Sequence, residues 1–143
     1  MKYLEQQPIK SFLLRLFTGE DIIESLIAFC KHHPKIGAGS VQGIGAVSAI
    51  NIGYYNGSEY QTTSLTENLE IVSLIGNIAK NHVVHLHGIF AREDGSCVGG
   101  HVFPGCIVSF TCEIQVLVLE PELIREFDEE TNLNLLSLPH ELN

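Results

Sequence analysis

The sequence contains no tryptophan and a single methionine, and its eight lysines and arginines are outnumbered by 17 aspartates and glutamates, giving a formal net charge of −9. A field of that sign repels phosphate backbones and anionic membranes, so direct nucleic-acid binding is disfavoured as a function class. Five of the eight basic residues fall within the first 35 positions, and residues 120–130 form an acidic block expected to be solvated surface. No C-x-x-C pair occurs among Cys30, Cys97, Cys106 and Cys112, and no run resembles a secretory signal. The cysteines are therefore expected to be reduced, mostly buried thiols of a cytoplasmic protein. Long apolar runs are missing too: residues 12–17 are interrupted by Arg15, and residues 102–119 carry Pro104, Gly105 and Glu113, so no membrane association is expected. Gly43-Ile44-Gly45-Ala46-Val47 lacks both the G-x-G-x-x-G spacing and a helix-forming sequel, which excludes a dinucleotide loop.

What remains is a chain of 143 residues, 45% apolar, large enough to bury a core as one domain spanning 1–143. Residues 9–17 alternate loosely as a strand. Thr18-Gly19-Glu20-Asp21 resembles a capping box with Thr18 as N-cap, and Ile22, Ile23, Leu26, Ile27, Phe29 and Cys30 then repeat at helical spacing until Lys31-His32-His33-Pro34. His32 and His33 suit a helix C-terminus better than a ligand pair. Residues 41–55 are β-rich, with glycines at 43 and 45 that let something approach the backbone closely, and Asn56-Gly57 turns the chain into residues 59–65. Residues 69–79 form a further strand. Within it Glu70 either faces solvent or, if buried, needs a partner such as Arg15 or a metal-held water. Residues 106–119 alternate cleanly, with Cys106, Val108, Phe110, Cys112, Ile114, Val116 and Val118 on a core face and Ser109, Thr111, Glu113 and Gln115 on a wet or interface face. Leu133, Leu135, Leu136 and Leu138 let the tail pack back on the body. The fold class is α/β of the α+β type: a mainly antiparallel sheet with one long helix. One helix leaves sheet surface uncovered, which favours self-association.

Chemistry concentrates in residues 83–105. A strand places alternate side chains on one face, so His85 and His87 point the same way and Val84, Leu86 and Phe90 the other, into a core. Glu93-Asp94-Gly95 suits a three-residue hairpin loop pairing Arg92 with Ser96. Counting outward sets His87 opposite His101 and Cys97 opposite Ala91, near the turn. A bulge at Gly99-Gly100 is the alternative, since a one-residue slip sends His101 to the opposite face. Three converging neutral imidazoles cradle Zn2+ or a similar divalent ion and leave a fourth position for water or substrate. The plainer alternative is three unrelated polar residues on a solvated face.

With these segments in place, residues 12–136 resemble the plants-and-prokaryotes-conserved (PPC) domain family in its stand-alone prokaryotic form. The resemblance rests on Arg15 with Gly19-Glu20-Asp21, Gly43-Ile44-Gly45-Ala46, Glu70 followed by Ser73-Leu74 and Gly76-Asn77-Ile78, His85-Leu86-His87, Asp94-Gly95, and Gly99-Gly100-His101 with Glu113. It implies a compact domain, a homotrimer and a metal site at His85, His87 and His101. Plant members join the domain to an AT-hook, which this sequence lacks. The fold type is also similar to that of acetolactate decarboxylase, a zinc enzyme with an H-x-H pair and a downstream histidine. Two functions follow as expectations. One is a zinc-dependent enzyme acting on a small molecule, with Glu70, Glu113 and Arg15 as catalytic candidates. The other is a non-catalytic trimeric protein-interaction or DNA-associated regulatory module. No arginine is evident beside the metal for a carboxylate substrate.

Overall fold

The computed structural model describes residues 1–141. In chain order it contains β1 (Lys2–Tyr3), β2 (Gln7–Phe17), α1 (Ile22–His32), β3 (Ala38–Tyr55), β4 (Tyr60–Leu65), β5 (Leu69–Ala79), a 3-10 turn at Lys80–His82, β6 (Val83–Ala91), β7 (Cys97–Val102), β8 (Ile107–Glu120), β9 (Ile124–Asp128), β10 (Leu133–Ser137) and β11 (His140–Glu141). Every strand pairing is antiparallel. The main sheet runs β2-β8-β3-β5-β6-β7, with β4 beside β3. β3 is long enough to serve two neighbourhoods: its first half lies between β5 and β8, and its second half between β4 and β7. The sheet thereby curls until β7, at its far end, meets β3 again.

One face of the sheet and the helix share the core. The helical stripe buries Ile22, Ile23, Leu26 and Cys30 with Leu74, Ile78, Leu86, Phe90 and Ile114. Each such large apolar side chain contributes about 1.5–3 kcal/mol through removal from water. The helix does not begin as its sequence implies. Asp21, not Thr18, is the N-cap, its Oδ1 accepting from Glu24 N at 3.0 Å, while Thr18 Oγ1 donates to Ser109 O at 2.8 Å. Asp21 can cap because its backbone is extended and bridges to Ile107, which fixes the chain's entry into the first turn. At the other end His33 N donates to Phe29 O and Cys30 O, and the His33 ring packs against Phe12 and Phe29.

The close approach foreseen along residues 43–47 is made by β8. Gly45 has φ +150°, and a Cβ there would lie 2.3 Å from Thr111 O. The two strands slip register at this point, Gly45 pairing with Cys112 and Val47 with Val108. The extra residues of β8 bulge outward, which overturns one expected core position: Phe110 is 71% exposed, whereas Cys106, Val108, Cys112, Ile114, Val116 and Val118 are buried. Cys30 and Cys106, pushed up to about 11 by burial, and Cys112, pushed up to about 12, are inert protonated thiols at neutral pH. Cys97 is exposed opposite Ala91. Leu136 and Leu138 pack on a second small cluster of Ala38, Ala79 and Leu123. Among the described residues no helix is long and apolar enough to cross a membrane.

Candidate metal centre

The turn between β6 and β7 sets everything that follows. Arg92 N donates to Ser96 O at 2.8 Å, Gly95 N donates to Arg92 O at 2.9 Å, and Gly95 takes a φ of +80°, which favours glycine. Asp94 accepts from Ser96 N at 2.8 Å, and this bonding holds its carboxyl below the usual range. From that turn the pairing runs without a slip through Ile89 with Gly99 and Gly88 with Gly100 to His87 opposite His101. The glycine pair introduces no bulge, so His101 shares a face with His85 and His87. Leu86 and Phe90 fill the core on the opposite face, and Val84 packs against it.

The three imidazoles offer ligand atoms that all lie within 4.8 Å of one another. A tetrahedral ion with Zn–N of about 2.0–2.1 Å holds its ligand nitrogens roughly 3.3 Å apart. His85 Nε2 and His87 Nε2 are 3.3 Å apart. His101 Nδ1 is buried without a hydrogen-bond partner, a desolvated lone pair or N–H that an ion or a small ring rotation could satisfy. The rings of Tyr60 and Phe103 wall His101 at centroid distances of 5.0 and 4.7 Å. Burial, with His85, His87 and Arg125 adding repulsion, lowers the His101 pKa to about 4. Burial and the nearby Arg125 and His87 also lower that of His85. Both therefore present neutral rings at physiological pH, the form that binds a metal. The residues present fit a divalent ion.

A cavity of about 520 Å³ adjoins the histidines, lined by Gln42, Ile75, Asn77, His85 and His87 among others. A larger one of about 670 Å³, around Glu5, Lys35, Glu120 and Glu122, contains no histidine.

The catalytic candidates stand elsewhere. Glu70 is exposed on β5 between Ala46 and Ala91, and no hydrogen bond or ion pair holds it among the described residues. Arg15 sits directly opposite Glu113 across β2 and β8, with its guanidinium over the Phe17 ring at 5.3 Å. None of the three lines the cavity beside the histidines. The arginine that does reach the site is one the sequence hid. Arg125 lies inside the acidic block, yet its Nη2 is 3.0 Å from His85 Nδ1 and 2.9 Å from Asn77 Oδ1. The available signal was the residue pattern of a hairpin, with residues 129–132 as a polar break between Ile124–Asp128 and Leu133–Ser137, which the structure pairs.

A model of the Plants and Prokaryotes Conserved (PCC) domain matches residues 3–120. The chain belongs to this family. Among solved structures, a metal-containing protein of Archaeoglobus fulgidus is similar to this PCC-domain chain with a TM-score of 0.87 and 38% identity, covering 96% of this chain and 99% of that one. Acetolactate decarboxylase of Bacillus subtilis shares the fold at a TM-score of 0.53 and 15% identity, over 77% of this chain and 53% of that one. The bifunctional protein GlmU of Synechococcus sp. is 33% identical over 116 residues, 80% of this chain. The PCC-domain chain spans about 17% of the length of the curated relatives it matches.

Proposed function

We propose that this PCC-domain protein is a homotrimeric zinc-binding protein whose ion, held by His85, His87 and His101, receives a small-molecule ligand. The observation that carries the proposal is the convergence of three ligand atoms within 4.8 Å on two rigidly paired strands. A bound zinc supplies Lewis acidity. The chain's own residues do the rest: β6 and β7 fix the imidazoles, Tyr60 and Phe103 shield His101, and the adjoining cavity leaves room on one side. The metal-containing Archaeoglobus relative supports the same reading.

The trimer is supported by the outward face of the sheet. Leu13, Ile44, Val72 and Ile75 are 55–79% exposed and border one groove with Glu113 and Gln115. A continuous row of paired residues, Leu13, Gln115, Gln42, Ile75, His87 and His101, crosses six strands from this groove to the histidines. Covering the apolar end of that row with a second copy brings a subunit boundary to the metal. The net charge of −9 supports a role without direct contact to DNA.

The second reading, a non-catalytic trimeric interaction module, is separated from the first by the fourth coordination position. Cobalt(II) added to chelator-treated, tag-free protein is expected to bind at about one ion per chain and give visible bands that azide changes. Bands indifferent to azide favour the interaction module, and absence of uptake contradicts a metal centre.

A further inference from the structure

A guanidinium has five N–H donors and no acceptor. Arg125 directs Nη1 to Asn134 O at 3.0 Å and Nη2 to Asn77 Oδ1 and His85 Nδ1, and its Nε is buried without a partner. All three neighbours are neutral. Among the described residues no carboxylate forms an ion pair with Arg125, although Lys80 and Arg92 pair with Glu122 and Glu67. In a chain where acids outnumber bases 17 to 8, a half-buried arginine whose partners are all neutral keeps its full charge to offer an anion.

The geometry points to Arg125 as the residue that binds the carboxylate group of a small ligand at the histidine centre. This deepens the metal reading and rests on it. A divalent ion on three neutral imidazoles would bring two positive charges and Arg125 a third, and among the described residues no carboxylate joins the histidine cluster or pairs with Arg125 to offset them. Donor counting makes the arginine available. Its Nη2 can face His85 Nδ1 only while that nitrogen is an acceptor, which leaves the proton of a neutral ring on Nε2. Once Nε2 turns its lone pair to an ion, the proton sits on Nδ1, and two N–H groups meet. Nη2 then needs another acceptor. A planar fork matches the two oxygens of a carboxylate. Arg125 reaches the 520 Å³ cavity through its contacts to Asn77 and His85, which line it, and histidines apart no lysine or arginine lines that cavity itself, so a single small carboxylate, not a polyanion, is the matching ligand.

Acetate titrated into the cobalt(II)-loaded protein, followed through the visible bands, tests this. Arg125→Gln is expected to raise the acetate dissociation constant roughly tenfold or more, and Arg125→Lys, which keeps the charge but not the fork, by less. Cobalt uptake per chain should be unchanged in both variants. Acetamide, the neutral analogue, should bind equally weakly to wild type and Arg125→Gln. Normal cobalt uptake with equal acetate affinity in wild type and both variants overturns the role of Arg125 and leaves the metal centre standing. No cobalt uptake by the wild type overturns both.

Discussion

His85 Nε2 lies 3.3 Å from His87 Nε2, although residues two apart on a strand are separated by roughly 6.6 Å along the backbone. The two rings have leaned together, and the nearest stable use of two such nitrogens is a shared proton or a shared ion. Holding them there depends on the backbone beneath.

Gly76 is the part of that backbone most sensitive to change. It pairs with Leu86 between the two histidine positions, and a Cβ at residue 76 would lie 1.9 Å from His85 O. Gly76→Ala must push β5 and β6 apart, which is expected to destabilise the fold by about 1–3 kcal/mol and to weaken zinc affinity as His85 moves. Urea denaturation and zinc titration of the variant check the two effects; an unchanged midpoint would contradict the strand contact described.

Association through the sheet face should be sensitive to charge. Ile44 is 59% exposed and lies within the apolar groove. Ile44→Lys is expected to convert the proposed trimer to monomer without loss of secondary structure, because a lysine buried between copies lacks a counter-charge. Light scattering decides it: a trimer that survives this substitution is not built on the outer face.

Acid should destabilise the metal-free protein. The folded His101 pKa of about 4 lies below its ordinary 6.5, so between those values the unfolded chain binds a proton that the folded chain refuses. Stability therefore falls as pH drops through that window, with His85 acting in the same direction. The groups facing His101 are His85, His87, Tyr60 and Arg125, none of them an acid that would reverse the sign. Thermal melts from pH 7 to 4 check this, and replacing His101 with Gln should flatten the slope.

Much of this was legible in the sequence because it was local. Glu93-Asp94-Gly95 sets a turn, the turn sets a register, and the register brings His101 opposite His87. The helical stripe and most of the alternation in residues 106–119 follow from period alone. Phe110 departs from that period because a bulge, forced where Gly45 meets Thr111, turns it outward. Thr18 fails as a cap because a bridge from Asp21 to Ile107, distant in sequence, decides where the helix starts. Arg125 was hidden for the same reason. Its neighbours in the chain are acidic and solvated, whereas its partners, Asn77 and His85, come from other strands.

Elemental analysis reads the three-histidine centre itself. Protein purified without an affinity tag is expected to carry close to one divalent ion per chain by elemental analysis, predominantly zinc, and His87→Ala combined with His101→Ala should carry none. Equal metal content in the wild type and the double variant would contradict it.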